Sequence, residues 1–165
     1  MIRRFLGNRS GTAAAEFVLV LPIMLALMFG AFEAGHFFWT QHKIVKSVRD
    51  GTRYATRLEL SDLCDGATET MSAATKQRIQ NVTASGSVAS GGVPKVPGWD
   101  PADVEVTVGC AAFVNTGIYT DLGNNGPLVT VTSGPVPYPS LFAALGFIDN
   151  GFTLSARSSA AVMGI

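Results

Sequence analysis

Charge is scarce in this chain: Lys, Arg, Asp and Glu make up 15% of 165 residues, where soluble domains carry about 25%. Histidine and cysteine are scarcer still, with only His36, His42, Cys64 and Cys110. On a helix the two histidines fall about 240° apart around the axis and so cannot share a metal ion. Two distant cysteines without a nearby histidine pair do not make a zinc site either. There is no phosphate-binding glycine loop, no nucleophile elbow and no HExxH. Without a histidine base in the C-terminal part, a hydrolase lacks its general base. Asp62, Asp65 and Glu69 cluster, yet their spacing lacks the glycine and distal glutamate of a calcium loop. The net charge is zero, and no basic stripe interleaves with aromatics, which argues against nucleic acid as a partner. The expectation is a chain with no catalytic residue, no metal and no cofactor.

What the chain does have is one long apolar run. Phe17 to Phe32 contains no charged residue, Ala13 to Ala15 extend it on the near side, and Glu33 and His36 are the ionisable breaks before Trp39. About 20 residues of helix cross a hydrocarbon core, so the run is long enough. It is preceded by a basic stretch, MIRRFLGNRSG, that reads as a leader. A small-x-small cleavage site after the run is missing, because Met28, Phe29 and Phe32 stand two residues before Gly30, Ala31 and Ala34. The apolar helix is therefore expected to be retained. Arg3, Arg4 and Arg9 with the amino terminus balance Lys43, Lys46, Arg49, Arg53 and Arg57, so the positive-inside rule does not assign the orientation. The cysteines do better. Both follow the run, and an even count in a small exported domain favours a Cys64–Cys110 disulfide over two unrelated buried thiols. That bond requires an oxidising compartment on the C-terminal side.

Helical periodicity continues past the run. Phe37, Ile44, Val48, Gly51, Ala55 and Leu58 fall on one face with Gln41 as the polar entry, while Lys46, Arg49, Arg53 and Arg57 project opposite. The basic face lies either on anionic headgroups or in solvent. One helix from about Thr12 to Leu58, roughly 70 Å long, is predicted. A second helix is expected from Thr68 to about Ala84 with Met71, Ala74, Ile79 and Val82 inward, then a Gly/Ser/Pro-rich loop from Ser85 to Gly98. Val104, Val106 and Val108 alternate with polar residues as a half-buried strand, and Leu128–Thr132 is a second strand after a turn signal at Gly123–Gly126. Phe152, Leu154 and Ala156 read as a third strand, with a proline-broken loop and helical turn between the last two. The fold class is α+β: a long N-terminal helix, membrane-spanning in its first half, packed by a small antiparallel three-stranded sheet and a second helix. The expected divisions are a leader at 1–11, a transmembrane helix at 12–39, its continuation at 40–60, and an extracytoplasmic domain at 61–165.

The run opens with G-T-A-A-A-E-F, residues 11 to 17, which resembles type IV prepilins. In those proteins a dedicated peptidase cuts after a glycine and leaves glutamate as the fifth mature residue. Gly11, Thr12, Glu16 and Phe17 fit that register. The wider segment is similar to the TadE-like family: Ala14, Glu16, Phe17, Leu21 and Pro22, then Phe29, Gly30, Glu33 and Gly35, then Val48, Arg49, Gly51, Arg53, Tyr54 and Ala55. The closing FTLSARSSAAVM resembles that family's last strand. His36 departs from the family pattern.

The resemblance implies a minor pseudopilin of the tight-adherence (Flp) pilus system, acting in pilus biogenesis, surface adhesion and biofilm formation. Its partners would be a prepilin peptidase, other pilin or pseudopilin subunits, the inner-membrane assembly machinery and membrane lipid. The protein would sit in a bacterial inner membrane with its N-terminus cytoplasmic and its C-terminal domain periplasmic or carried into a pilus. Glu16 would pair with the new amino terminus of a neighbour at Thr12; alternatively it caps its own helix. Gly30 with Ala34, and Ala31 with Gly35, flank Glu33 as small-xxx-small pairs suited to helix packing. A membrane-anchored binding module that does not polymerise is the competing reading. An anchored enzyme ranks behind both for want of a site.

Overall fold

The computed structural model describes residues 10–111, 126–144, 146 and 151–163. The first described element, α1 (Ser10–Ala55), is one continuous 46-residue helix. It passes through Pro22, which cannot supply the N–H that the Val18 carbonyl would accept. Residues 14–39 are exposed apart from the half-buried Glu33 and His36. Among the described residues α1 is the one helix long and apolar enough to cross a membrane. It ends three residues short of the predicted Leu58, because the chain tightens there: Arg57 and Leu58 donate to Tyr54 and Ala55, three residues back. The carbonyl of Thr56 accepts from the Met163 amide at 3.2 Å, which ties the segment after residue 161 to the end of the helix.

From Thr40 onward α1 is half of a packed domain. Ile44, Val48, Gly51 and Ala55 are buried as the periodicity predicts, and Lys46, Arg49, Arg53 and Arg57 are exposed. Phe37, at the head of that series, remains open. Gln41, its polar entry, donates from Nε2 to the Ser155 carbonyl at 3.1 Å. The same face also buries Thr40, Ser47 and Thr52. Thr40 and Thr52 satisfy their hydroxyls on carbonyls four residues back, at 2.9 and 2.8 Å.

The second helix, α2 (Ala73–Ser85), begins later than predicted. Thr68–Glu69 forms strand β2 instead, paired with β1 (Cys64–Asp65) in a short hairpin whose turn holds Gly66 at φ 60°. Ser72 then caps α2 by accepting from the Thr75 amide at 3.1 Å. Of the four residues expected to face inward, Ile79 is fully buried, Met71 and Val82 partly, and Ala74 is exposed. Thr75, Asn81, Thr83 and Ala84 share the buried face. Small polar residues with local hydrogen bonds made that face hard to read from hydropathy. The loop expected between Ser85 and Gly98 is present.

The sheet is antiparallel, in the order β3 (Glu105–Gly109), β4 (Leu128–Thr132), β7 (Arg157–Ala161). Val104, Val106 and Val108 point inward as predicted. The third strand differs from expectation. Its register, Thr132↔Arg157 to Leu128↔Ala161, starts past Ala156. Thr153–Leu154 is a separate strand, β6, paired with β5 (Val136–Pro137). Ser133 causes the break: its amide donates to the Ala156 carbonyl, and the Ala156 amide donates to its hydroxyl, both at 2.9 Å. Gly134 then turns the chain at φ 68° with the Asp103 carbonyl packed against its Cα. The helical turn expected after Pro139 is α3 (Leu141–Ala144). The turn expected at Gly123–Gly126 falls on residues 123–125, outside the described residues. Trp99, buried beneath the sheet, donates from Nε1 to the Ser133 carbonyl at 3.1 Å.

Candidate functional site

The predicted processing and assembly residues lie along the free end of α1. Gly11 and Thr12 are within its helical backbone. Glu16 and Phe17 are exposed, and Glu16 makes no ion pair among the described residues. Pro22 is exposed on the same stretch. Gly30, Ala31, Ala34 and Gly35 form an open flank, with no side chain within 4 Å of a Cβ placed on either glycine. The apolar half of α1 thus presents both an exposed carboxylate and a stretch of small residues to its surroundings. A carboxylate at a membrane edge calls for a partner, and small residues let a second helix approach closely.

Glu33 has a different environment. Its Oε2 accepts from the Leu141 amide at 3.1 Å, and its main-chain carbonyl accepts from the Tyr138 hydroxyl at 3.2 Å. His36 lies one turn further, its Nδ1 3.2 Å from the same hydroxyl and its ring 5.6 Å from the Tyr138 ring. Phe37 meets Tyr138 edge-on at 5.3 Å. Tyr138 is buried, and burial first, then its bond to and the negative charge of Glu33, push its hydroxyl up to about 12 from the usual 10. The three side chains fasten the β5–α3 connection to α1 at the level where the apolar run ends. Sequence reading did not find this clamp. The available signal was Pro137-Tyr138-Pro139, where Pro139 restricts Tyr138 to extended backbone and Pro137 fixes its own φ just before it.

An apolar groove of about 450 Å³ opens beside the clamp, lined by Gly30, Ala34, Phe37, Phe38, Phe142 and Phe152 among others. A second, more polar groove of similar size lies on the other flank, lined by His36, Trp39, Lys43, Lys95 and Leu141 among others. Lys43 places its ammonium 4.3 Å from the centre of the Trp39 ring.

At the far side of the domain Cys64 and Cys110 are joined by a disulfide, with Cα atoms 5.7 Å apart. Both are buried, and the bond ties the β1–β2 hairpin to the end of β3. Among the described residues no three His, Cys, Asp or Glu side chains are grouped to hold a metal ion, Asp62, Asp65 and Glu69 included. The geometry offers attachment surfaces and one fixed internal clamp.

Residues 11–53 match the family model described as TadE-like protein. The match covers the exposed apolar half of α1, Glu33, His36 and the packed half as far as Arg53. No curated protein sequence and no solved structure matches the chain.

Proposed function

We propose that this chain, a TadE-like protein by its residues 11–53, is a minor pilin-like subunit that acts in assembly of a tight-adherence pilus and in the adhesion such a fibre serves. The family is associated with the pilus and is structural in character, so the reading assigns no enzyme activity. Residues 1–11 are a leader removed by a prepilin peptidase between Gly11 and Thr12. Residues 12–39 are the membrane span, 40–60 its continuation, and 61–165 the periplasmic domain.

The observation that carries the reading is the exposed Glu16, without an ion pair among the described residues, at the start of an otherwise uncharged helix surface. An isolated charge in a membrane helix costs about 2.5–3.5 kcal/mol at the bilayer centre and less toward the edge. The new amino terminus of a neighbouring subunit at Thr12 supplies the compensating charge in an assembly. The open flank of Gly30, Ala31, Ala34 and Gly35 then lets helices approach closely.

Two variants test this. Gly11→Leu blocks processing, so the mass of the membrane-extracted protein retains residues 1–11, whereas the parent begins at Thr12. Glu16→Gln is cleaved and inserted normally but does not support pili or adhesion. If Glu16 were only a helix cap, worth about 0.3–1 kcal/mol, piliation by that variant would be normal and the assignment would fail.

The apolar groove between α1 and Phe142 favours one other reading, a membrane-anchored module that binds a ligand without polymerising. Removal of residues 1–11 with retention of the apolar helix separates the two, since an anchored binding module has no need of prepilin processing.

A further inference from the structure

We infer that the C-terminal domain does not stand clear of the membrane but is seated on the bilayer surface, with Leu141 and Phe152 inserted among the lipid headgroups beside Phe38 and Trp39. The inference rests on the reading of α1 as a membrane span.

Register is the first argument. Twenty helical residues rise about 30 Å, the thickness of a hydrocarbon core. Within the span of residues 12–39, with the Glu16 carboxylate at one edge of that core, the other edge falls near His36 and residues 37–39 lie among the headgroups. His36 and Glu33 are the residues that hold Tyr138 and the Leu141 amide. The clamp thus fixes the β5–α3 connection at the height of the bilayer boundary rather than above it.

The second argument is what that height exposes. Phe38 is 62% exposed, Trp39 58%, Leu141 44% and Phe152 65%. Phe38 and Trp39 come from α1 itself, whereas Leu141 and Phe152 come from sequence a hundred residues away and are delivered to the same level by the fold. The exposed apolar surface of α1 runs into this collar, broken by the half-buried Glu33 and His36 on the side that holds Tyr138. Aromatic residues at the membrane–water boundary are favoured because their rings tolerate the mixed surroundings of headgroup and upper acyl chain.

Charge completes the case. Lys43 lies one turn beyond Trp39 with its ammonium over that ring, where a phosphate group of the same leaflet would meet it. Lys95 lines the same groove and is also 3.6 Å from Asp50. An apolar ring below and an ammonium above is the order in which a phospholipid presents acyl chain and phosphate. The occupant of the collar is therefore the phospholipid of the bilayer that α1 crosses.

Tryptophan fluorescence of the full chain tests the seating, with one copy per nanodisc of phosphatidylethanolamine and phosphatidylglycerol. Bromine is placed on the acyl chains either near the headgroup or near the chain end. Trp39 reports on α1, as the difference between the parent and Trp39→Phe, with the buried Trp99 as a common background. Phe152→Trp in the Trp39→Phe background reports on the domain, and Leu141→Trp repeats the measurement at a second exposed position. Seating predicts blue-shifted emission from both added indoles and loss of about half of it to bromine near the headgroup, with less loss to bromine near the chain end. If Trp39 is quenched while both added indoles emit as in water, the helix is anchored but the domain stands off, and the inference falls alone. Blue-shifted emission that bromine leaves untouched means protein covers the collar, which also overturns it. If Trp39 itself is not quenched, the span reading fails and the inference with it.

Discussion

Tyr138 and Gly51 show how single residues couple the helix to the domain. The Tyr138 hydroxyl is held neutral by burial and by Glu33, with its ionisation pushed up to about 12. Because the folded-state value lies above the ordinary 10, the folded chain keeps this proton where the unfolded chain loses it. The stabilisation is complete below pH 10 and is lost as the pH rises toward 12. Tyr138→Phe should remove that part of the pH dependence. Denaturant midpoints of the two proteins should then converge across this window, and the parent's last tyrosinate absorbance change should disappear. Gly51 argues from space instead. A Cβ there would collide with the Thr83 hydroxyl on α2, so glycine is what allows the two helices to approach as closely as they do. Gly51→Ala should cost about 1–3 kcal/mol, the usual range for overpacking, measured by chemical unfolding. Thr83→Ala in the same chain should recover part of that loss; no recovery would place the cost elsewhere.

Among the elements, the β1–β2 hairpin is too short to hold itself, with two residues per strand. Its covalent attachment is the Cys64–Cys110 bond, which spans a sequence separation of 46 and joins the connection after α1 to the end of β3. Constraining a loop of that size in the unfolded chain typically stabilises by about 2–4 kcal/mol. Cys64→Ser/Cys110→Ser should lower the unfolding free energy by that order. In protein recovered from membranes without reductant, neither parental cysteine should react with an alkylating agent. Reaction of both would place the domain in a reducing compartment and reverse the proposed topology. The helices divide the labour differently. The first half of α1 keeps the apolar surface of residues 17–32 for its surroundings, while the second half buries Ile44, Val48 and Ala55 against α2 and the sheet.

At the scale of the whole molecule, local pattern was enough for the long helix, its buried continuation and two of the strands. The apolar run made α1 long and exposed, the 3.6-residue period located its buried continuation at Ile44, Val48, Gly51 and Ala55, and the alternating valines placed β3 and β4. The match of residues 11–53 to the TadE-like family was legible for the same reason, because that region is one helix whose neighbours in sequence are its neighbours in space. The tertiary structure alone decided three things. Thr68–Glu69 pairs with Cys64–Asp65 rather than starting a helix, since strand pairing depends on a partner that propensity does not see. The last sheet strand starts at Arg157 rather than at Phe152, because Ser133 interrupts the ladder with its own hydrogen bonds. Tyr138 reaches Glu33 and His36 across more than a hundred residues. Such contacts leave no period in the sequence: a clamp between distant residues is fixed by where two elements cross, and that crossing exists only once the chain has folded.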